Sequence, residues 1–293
     1  MTNDSDVIQH QLLPEQVLKA NSTCVVIDET GNPGQDSGSL YLDESRKTWV
    51  AVFLSGEDFA TVTRELPLAL EGLEHHTGGR EFHLTDIYRG HKDFKEVSPE
   101  LRLKIISFLA YIFSKYQFPI LVQTLDKVEA KKFQSHSTDF NQKLGVLDLR
   151  KHDALALWML LTNIQKQLMM KDSPPAYVVL DQQRWKDERA IDISRTVSNP
   201  SVFANKQIYS RNSTKFPAIQ LADFAAFCLN RQQWLMSSKS ITDFDREFLR
   251  IIGTANLNFI NIPKLNIDMN LWQPSDYDFM RGVIDEDKGI KSR

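Results

Sequence analysis

The apolar positions of this chain are concentrated in short runs, and two of these runs end on an aspartate. Residues 24–27 are apolar and rich in β-branched side chains and lead into Asp28, and residues 177–180 lead in the same way into Asp181. Apolar runs of this length are typical of strands that are buried on both faces. A second strand at 49–54 follows the first after a turn-rich connection, which favours an antiparallel hairpin.

The remaining patterns predict helices that alternate with strands. Helices are predicted at residues 7–20, 57–73 (interrupted or shortened near Pro67), 99–115, 148–170, 187–197 and 217–229. Strands are predicted at residues 23–28, 49–54, 118–125, 177–181 and 207–209. This order predicts an α/β fold in which a mixed sheet carries helices on both faces. We expect a helical N-terminal extension at 1–22, one domain at 23–235, and a C-terminal extension at 236–293 that packs on the domain and ends in a frayed tail.

Composition excludes several classes of protein. The chain has 293 residues, of which 42% are hydrophobic and 25% charged, and its formal net charge is -3, so no overall basic field attracts nucleic acid. The polar N-terminus and the lack of a run of about 20 apolar residues argue against a signal peptide and a membrane span. We therefore expect a soluble, cytoplasmic protein, in which Cys24 and Cys228 are buried thiols rather than a disulfide.

A third aspartate, Asp223, lies within the strongly apolar helix predicted at 217–229, with Gln220 on the same face. Buried carboxylates are costly unless they are paired, hydrogen-bonded or bound to a metal ion. Because the carboxyl ends of strands gather functional residues at one sheet edge, we expect Asp28, Asp181 and Asp223 to meet around a cation. The structural alternatives are turn amides for Asp28, helix capping for Asp181, and a basic partner for Asp223.

A fourth carboxylate is predicted in the polar segment 80–90. Glu81 and His83 are two residues apart, so an extended backbone would place both on one side and could supply a metal ligand and a proton-transfer group. The alternative is an exposed loop with an incidental histidine. Strand alternation directs Glu29 away from Asp28, which makes it the less favoured ligand. His152 and Asp153 are interpreted as residues of a helical first turn.

The chemistry of several carboxylates held together favours a hard divalent cation. Mutual repulsion raises their pKa values unless a cation offsets the charge, and oxygen ligands favour Mg²⁺ or Mn²⁺ over zinc. Two such ions about 3.5–4 Å apart can activate water and stabilise the leaving oxygen in phosphodiester cleavage. A predicted phosphate-binding rim consists of Arg184, Lys186, Lys206, Arg211 and Lys215. The chain contains no P-loop, Rossmann glycine pattern, HExxH or GxSxG motif.

Four short motifs carry a resemblance to a known family. Residues 27–32 (Ile-Asp-Glu-Thr-Gly-Asn), 81–83 (Glu-Phe-His), 179–181 (Val-Leu-Asp) and 219–223 (Ile-Gln-Leu-Ala-Asp) resemble, in order and spacing, the domain-of-unknown-function family 3800 (DUF 3800). The resemblance covers about residues 23–235, with Thr30 where the family often has Ser and Ile219 where Leu is usual. It implies a ribonuclease H-like fold with acidic residues at nuclease-like positions.

The resemblance also implies roles for the acidic residues. Asp28, Asp181 and Asp223 would be the core metal ligands, and Glu81 would be a fourth. We expect a nuclease or phosphodiesterase that hydrolyses nucleic acid, DNA or RNA, with Mg²⁺ or Mn²⁺. Asp28 would bridge two ions, Asp181 and Asp223 would each complete one, and Glu81 or His83 would assist the water or the leaving group.

The alternative is a non-catalytic binding or regulatory module on the same ribonuclease H-like scaffold, which would bind nucleic acid or a protein without cutting it. A further alternative is that the carboxylates are structural partners of Arg or Lys. The sequence predicts neither an oligomeric state nor a pathway. We expect Trp272 and Tyr277 to be exposed and available to a partner.

Overall fold

The computed structural model describes residues 13–31, 39, 42, 44–135, 143–170, 174–182, 187–238, 240–262 and 273–287. The helices that it describes are α1 (Pro14–Ala20), α2 (Gly56–Thr77), α3 (Leu84–Arg89), α4 (Pro99–Tyr116), α5 (Lys127–Ser135), α6 (His152–Met169), α7 (Ile219–Met236), α8 (Asp243–Ala255) and α9 (Pro274–Asp287). The strands are β1 (Cys24–Gly31), β2 (Lys47–Leu54), β3 (Pro119–Leu125), β4 (Lys143–Leu144), β5 (Leu147–Asp148), β6 (Tyr177–Asp181), β7 (Arg189–Asp192), β8 (Gln207–Arg211) and β9 (Asn258–Phe259).

Seven of the described strands form one mixed sheet in the order β7-β8-β6-β1-β2-β3-β9. The strands β1, β2 and β3 are successively antiparallel, whereas β6 lies parallel to β1 and β8 lies parallel to β6. The outer strand β7 is antiparallel to β8, and the short β9 is parallel to β3. The predicted α/β class, the mixed sheet and the antiparallel hairpin of β1 and β2 are confirmed.

Helices cover both faces of this sheet. The helix α7 packs on β1 and β2 from one side, and α6 packs on β2 and β3 from the other. Because side chains alternate along a strand, Val26 belongs to the apolar cluster on the α7 side, whereas Val25 and Ile27 belong to the cluster on the α6 side. Both faces of β1 are therefore buried, as its continuous apolar run predicts.

The helix predicted at 57–73 is neither interrupted nor shortened at Pro67. The observed helix α2 runs without a break from Gly56 to Thr77 and ends at Gly78, which adopts φ +78°. Proline removes one intrahelical hydrogen bond. The buried side chains of Val62, Leu66 and Leu73 hold the two halves of the helix on one core, which keeps it continuous.

The prediction of a helix at 187–197 is wrong. Residues 189–192 form the edge strand β7, which pairs with β8, and Ile191 and Ile193 are buried on one side of it. Apolar and polar residues alternate only from 191 to 193, and the sheet edge offers hydrogen bonds that a short surface helix would lack.

The chain beyond residue 236 shares the main core. The helix α8 packs on α4, Phe248 and Ile252 belong to the same apolar cluster as Val26, and β9 extends the sheet beside β3. Tyr277 is buried with Leu42 and Trp234, so its predicted exposure is wrong. Predictions for residues 7–12, for Trp272 and for the tail beyond 287 lie outside the described residues.

Cys24 and Cys228 are free and buried, as predicted. In the described part of the chain, none of the helices combines the length and the apolar character that crossing a bilayer requires.

Candidate metal and active site

The register of two parallel strands sets Asp28 beside Asp181. The pairing of β1 with β6 aligns Cys24 with Tyr177 and ends at Ile27 and Leu180. Carried one residue further, this register aligns the two aspartates on neighbouring strands, which are about 4.8 Å apart in a sheet. The strand β1 itself continues to Gly31 against β2. Asp28 therefore lies within the strand, whereas the sequence predicted that the strand would end at Asp28.

Strand alternation directs both aspartates toward α7. Val26 and Val179 lie in the apolar cluster on the α7 side, and Asp28 and Asp181 follow them by two residues. Glu29 belongs to the opposite set of positions, and its carboxylate lies 3.4 Å from Nζ of Lys47.

The helix α7 brings the third aspartate to this place. It is buried along most of its length, as its composition predicts, and Asp223 lies one turn into it. The backbone N–H of Leu84, the first residue of α3, donates a hydrogen bond of 3.0 Å to Oδ2 of Asp223. Asp223 therefore fixes the segment that carries Glu81 and His83 against α7.

Gln220, one turn earlier on α7, holds the same segment from a second point. Its side chain is 2% exposed, and its Oε1 accepts a hydrogen bond of 2.8 Å from the backbone N–H of Phe82. Its Nε2 donates to the carbonyl oxygen of Ser213 at 3.1 Å, and the Ser213 hydroxyl donates to Glu81 at 2.7 Å. The amide side chain thus joins two loops that are distant in the sequence.

His83 is held by a buried acid. Its Nδ1 lies 2.6 Å from Oδ2 of Asp86, and Nζ of Lys92 lies 2.8 Å from the same oxygen. Burial alone would raise the pKa of Asp86, but the hydrogen bonds from Lys92 and His83 lower this pKa below its usual value. Asp86 is therefore a carboxylate that can orient the imidazole of His83.

One open cavity of about 900 Å³ collects these elements. The five residues predicted from the sequence all line it: Asp28, Glu81, His83, Asp181 and Asp223. Each of the five is half-buried, so their polar atoms remain accessible to a ligand. The exposed-loop interpretation of Glu81 and His83 does not describe this arrangement.

Burial and mutual repulsion act on the carboxylates. Burial raises the pKa of Asp28 well above its usual value, and the charges of Asp223 and Asp181 add to this increase. The pKa of Asp223 rises to about 6, chiefly through burial; the hydrogen bond from Leu84 and the charge of His83 lower it, while the charges of Asp181 and Glu81 raise it. A bound cation would relieve both effects.

The residue types that line the cavity suit a hard divalent cation in their chemistry. Carboxylates are the ligand type that Mg²⁺ and Mn²⁺ prefer, and five acidic residues of the described chain line the cavity: Asp28, Glu29, Glu81, Asp181 and Asp223. Among the described residues, however, no three Asp, Glu, His or Cys side chains converge closely enough to hold an ion as they stand. The raised pKa values are those of carboxylates without a counter-charge, and coordination requires their side chains to turn toward a common point.

The described members of the predicted phosphate-binding rim are not among the residues that line the cavity. Lys206 precedes β8 and lies at the opposite edge of the sheet from the cavity, because β8 runs parallel to β6. Arg211 is buried, and Lys215 pairs with Glu188 at 3.3 Å. Arg184 and Lys186 lie outside the described residues. The basic residues that line the cavity within the described chain are His83, Arg89 and Arg231.

Sequence reasoning missed Asp86, Ser213 and Arg231. Asp86 follows His83 by three residues at the start of a helix, a spacing at which side chains meet, so its pairing could have been predicted. Ser213 and Arg231 carry no local signal, because only the packing of distant segments brings them to the cavity.

Gln220→Leu tests the bridge between the two loops. It leaves the N–H of Phe82 and the carbonyl of Ser213 without partners, which should lower the free energy of unfolding by about 1–3 kcal/mol. It should also weaken Mn²⁺ binding, because Glu81 and His83 lose their anchor. Thermal unfolding and Mn²⁺ titration by calorimetry measure the two effects.

Gln165→Leu is the matched control. Gln165 is equally buried on α6 and bonds Ser198 and the backbone N–H of Asn199, far from the cavity. We expect a similar loss of stability with unchanged Mn²⁺ binding. Equal effects of the two substitutions on Mn²⁺ binding would contradict a positioning role for Gln220.

Comparison of the whole chain with protein-family models, with curated proteins and with solved structures gave no match.

Proposed function

We propose that this protein is a divalent-cation-dependent nuclease or related phosphodiesterase. The observation that carries the proposal is the cavity that Asp28, Asp181 and Asp223 all line, with the pKa values of Asp28 and Asp223 raised by burial and by neighbouring carboxylates. Perturbed carboxylates that converge in a cleft are typical of functional sites. Three separate elements, β1, β6 and α7, supply them.

The sheet topology supports a ribonuclease H-like fold for this site. Three successive antiparallel strands, β1 to β3, are followed by β6 and β8, which lie parallel to β1 on its other side. This is the arrangement that we would expect of such a fold, and it agrees with the resemblance of the motifs to DUF 3800. Because function follows from the site rather than from the fold, the carboxylates support the proposed function more strongly than the topology does.

The proposed roles follow from the contacts. Asp28, Asp181 and Asp223 would hold Mg²⁺ or Mn²⁺, with Glu81 as a fourth ligand that Ser213 keeps in place. When bound, the cation would lower the pKa of a water molecule and offset the charge of the phosphodiester. His83, oriented by Asp86, is the group that can exchange a proton with the attacking water or the leaving oxygen.

Cleavage assays of the full chain test the proposal. We expect labelled DNA or RNA to be cut with Mn²⁺ or Mg²⁺ and to remain intact with EDTA. We also expect Mn²⁺ to raise the melting temperature, since a ligand that binds only the native state stabilises it.

An absence of cleavage by highly purified protein, together with an unchanged melting temperature in Mn²⁺, would overturn the proposal. Binding of the same oligonucleotides without cutting would then favour a non-catalytic ribonuclease H-like module.

A further inference from the structure

The end of the cavity away from the carboxylates has a different chemistry. Beyond Asp223, the face of α7 that lines the cavity continues through the half-buried Phe227 and Asn230 to the buried Trp234, with Arg231 beside it. Arg231 follows Asp223 by eight residues, which corresponds to about 12 Å along a helix. Arg89, on the last turn of α3, lines the same cavity.

Arg231 is held in place but only partly neutralised. Its Nη2 lies 3.3 Å from Oδ1 of Asp245, and its guanidinium stacks on the ring of Tyr88 at 4.7 Å. Asp245 also accepts hydrogen bonds from Tyr88 and Thr242, so its charge is shared among several donors. Nε of Arg231 is buried and has no hydrogen-bond partner in the described chain, whereas the side chain as a whole is 27% exposed and lines the cavity.

The guanidinium of Arg89 is accessible to a ligand. It is exposed, and no ion pair ties it to any residue in the described ranges. A guanidinium matches the geometry of a phosphate and remains charged at any pH of interest. The contacts of α3 give no structural reason for an arginine at position 89 in the wall of this largely acidic cavity.

We propose that Arg231 and Arg89 form a second phosphate subsite, so that the substrate is a polynucleotide bound at two phosphates. The proposal rests on the proposed function: one phosphodiester lies at the carboxylates, and a neighbouring phosphate of the same strand lies at the arginines. The carboxylates of the cavity repel a polyanion, and the arginines offset this repulsion at the point where the strand leaves the acidic end. A small diester with one phosphate reaches only the acidic end.

The experiment compares binding of a short single-stranded oligonucleotide at several salt concentrations. Binding is measured by fluorescence anisotropy in an Asp28→Asn background, where cleavage is blocked. We expect Arg231→Gln and Arg89→Gln each to weaken binding about 10-fold and to reduce the slope of log affinity against log salt by about 0.7, the value for one lost contact to a single strand.

Arg250→Gln is the control, because Arg250 is exposed on α8, pairs with Glu247 and lies outside the cavity. It should leave affinity and slope unchanged. Arg89→Gln controls for a folding defect in Arg231→Gln, since Arg89 has no side-chain hydrogen bond or ion pair to lose within the described residues. Arg231→Lys should retain most of the salt slope.

Measurements of kcat/KM on two substrates distinguish the phosphate subsite from the catalytic carboxylates. With Asp28 intact, Arg231→Gln and Arg89→Gln should lower kcat/KM about 10-fold on the oligonucleotide and leave hydrolysis of bis(p-nitrophenyl) phosphate unchanged. Wild-type affinity and salt slope in both variants would overturn the subsite, whether or not the protein cuts. Altered binding by a protein that cuts neither substrate would sustain the subsite and overturn the proposed nuclease.

Discussion

Asp28→Asn is expected to abolish Mn²⁺-dependent cleavage while the protein remains folded. Asp28 lies near both other aspartates of the cavity, since the charges of Asp223 and Asp181 both raise its pKa. The amide has nearly the same shape but carries no charge to bind a cation. We expect a loss of about a thousandfold in rate, which corresponds to about 4 kcal/mol of transition-state stabilisation.

Asp243→Asn provides the matched control for this prediction. Asp243 is an exposed aspartate at the start of α8, outside the cavity, and its substitution should leave cleavage unchanged. Equal cleavage by wild type and Asp28→Asn, after removal of contaminating nucleases, would rule out the proposed role of Asp28. Circular dichroism and the melting temperature establish that each variant is folded.

The second large effect is a gain of stability. Asp223→Asn should stabilise the metal-free protein near pH 7.5 by up to about 3 kcal/mol, because the folded-state pKa of Asp223 is raised to about 6 from an ordinary value of 3.8. Ionising this carboxylate costs free energy in the folded state but not in the unfolded state. An asparagine oxygen can still accept the hydrogen bond from the N–H of Leu84.

The sign of the pH dependence follows from the raised pKa. Below about pH 3.8 the carboxyl group is protonated in both states and wild type suffers no penalty. The penalty grows as the pH rises from about 3.8 to about 6 and is complete above that range. Urea unfolding in EDTA should therefore show the advantage of Asp223→Asn at pH 7.5 and much less of it at pH 4.5.

Mn²⁺ should reverse this ranking at pH 7.5, since wild type gains stability from the cation and Asp223→Asn loses a ligand. A variant that is less stable than wild type in EDTA at pH 7.5 would contradict an uncompensated carboxylate at this position. Asp243→Asn should show neither the gain nor its pH dependence.

Local patterns predicted the elements whose signals lie within a few residues. The runs before Asp28 and Asp181 are continuous because both faces of β1 and β6 are covered, and Ser98 with Pro99 marks the start of α4. The same reasoning failed for residues 189–192, where the hydrogen-bonding edge of a distant strand decided the conformation, and for Pro67, where tertiary packing outweighs one lost bond.

By itself, the sequence determined which residues carry the candidate chemistry: Asp28, Asp181 and Asp223, and with them Glu81 and His83. The three aspartates could be identified because burying a carboxylate within or beside an apolar run costs free energy unless the carboxylate has a partner. The tertiary structure alone decided which distant groups join them. Ser213 and Arg231 carry no local signal along the chain, and only the parallel register of β1 with β6 and the packing of α7 across them bring these two residues to the same cavity.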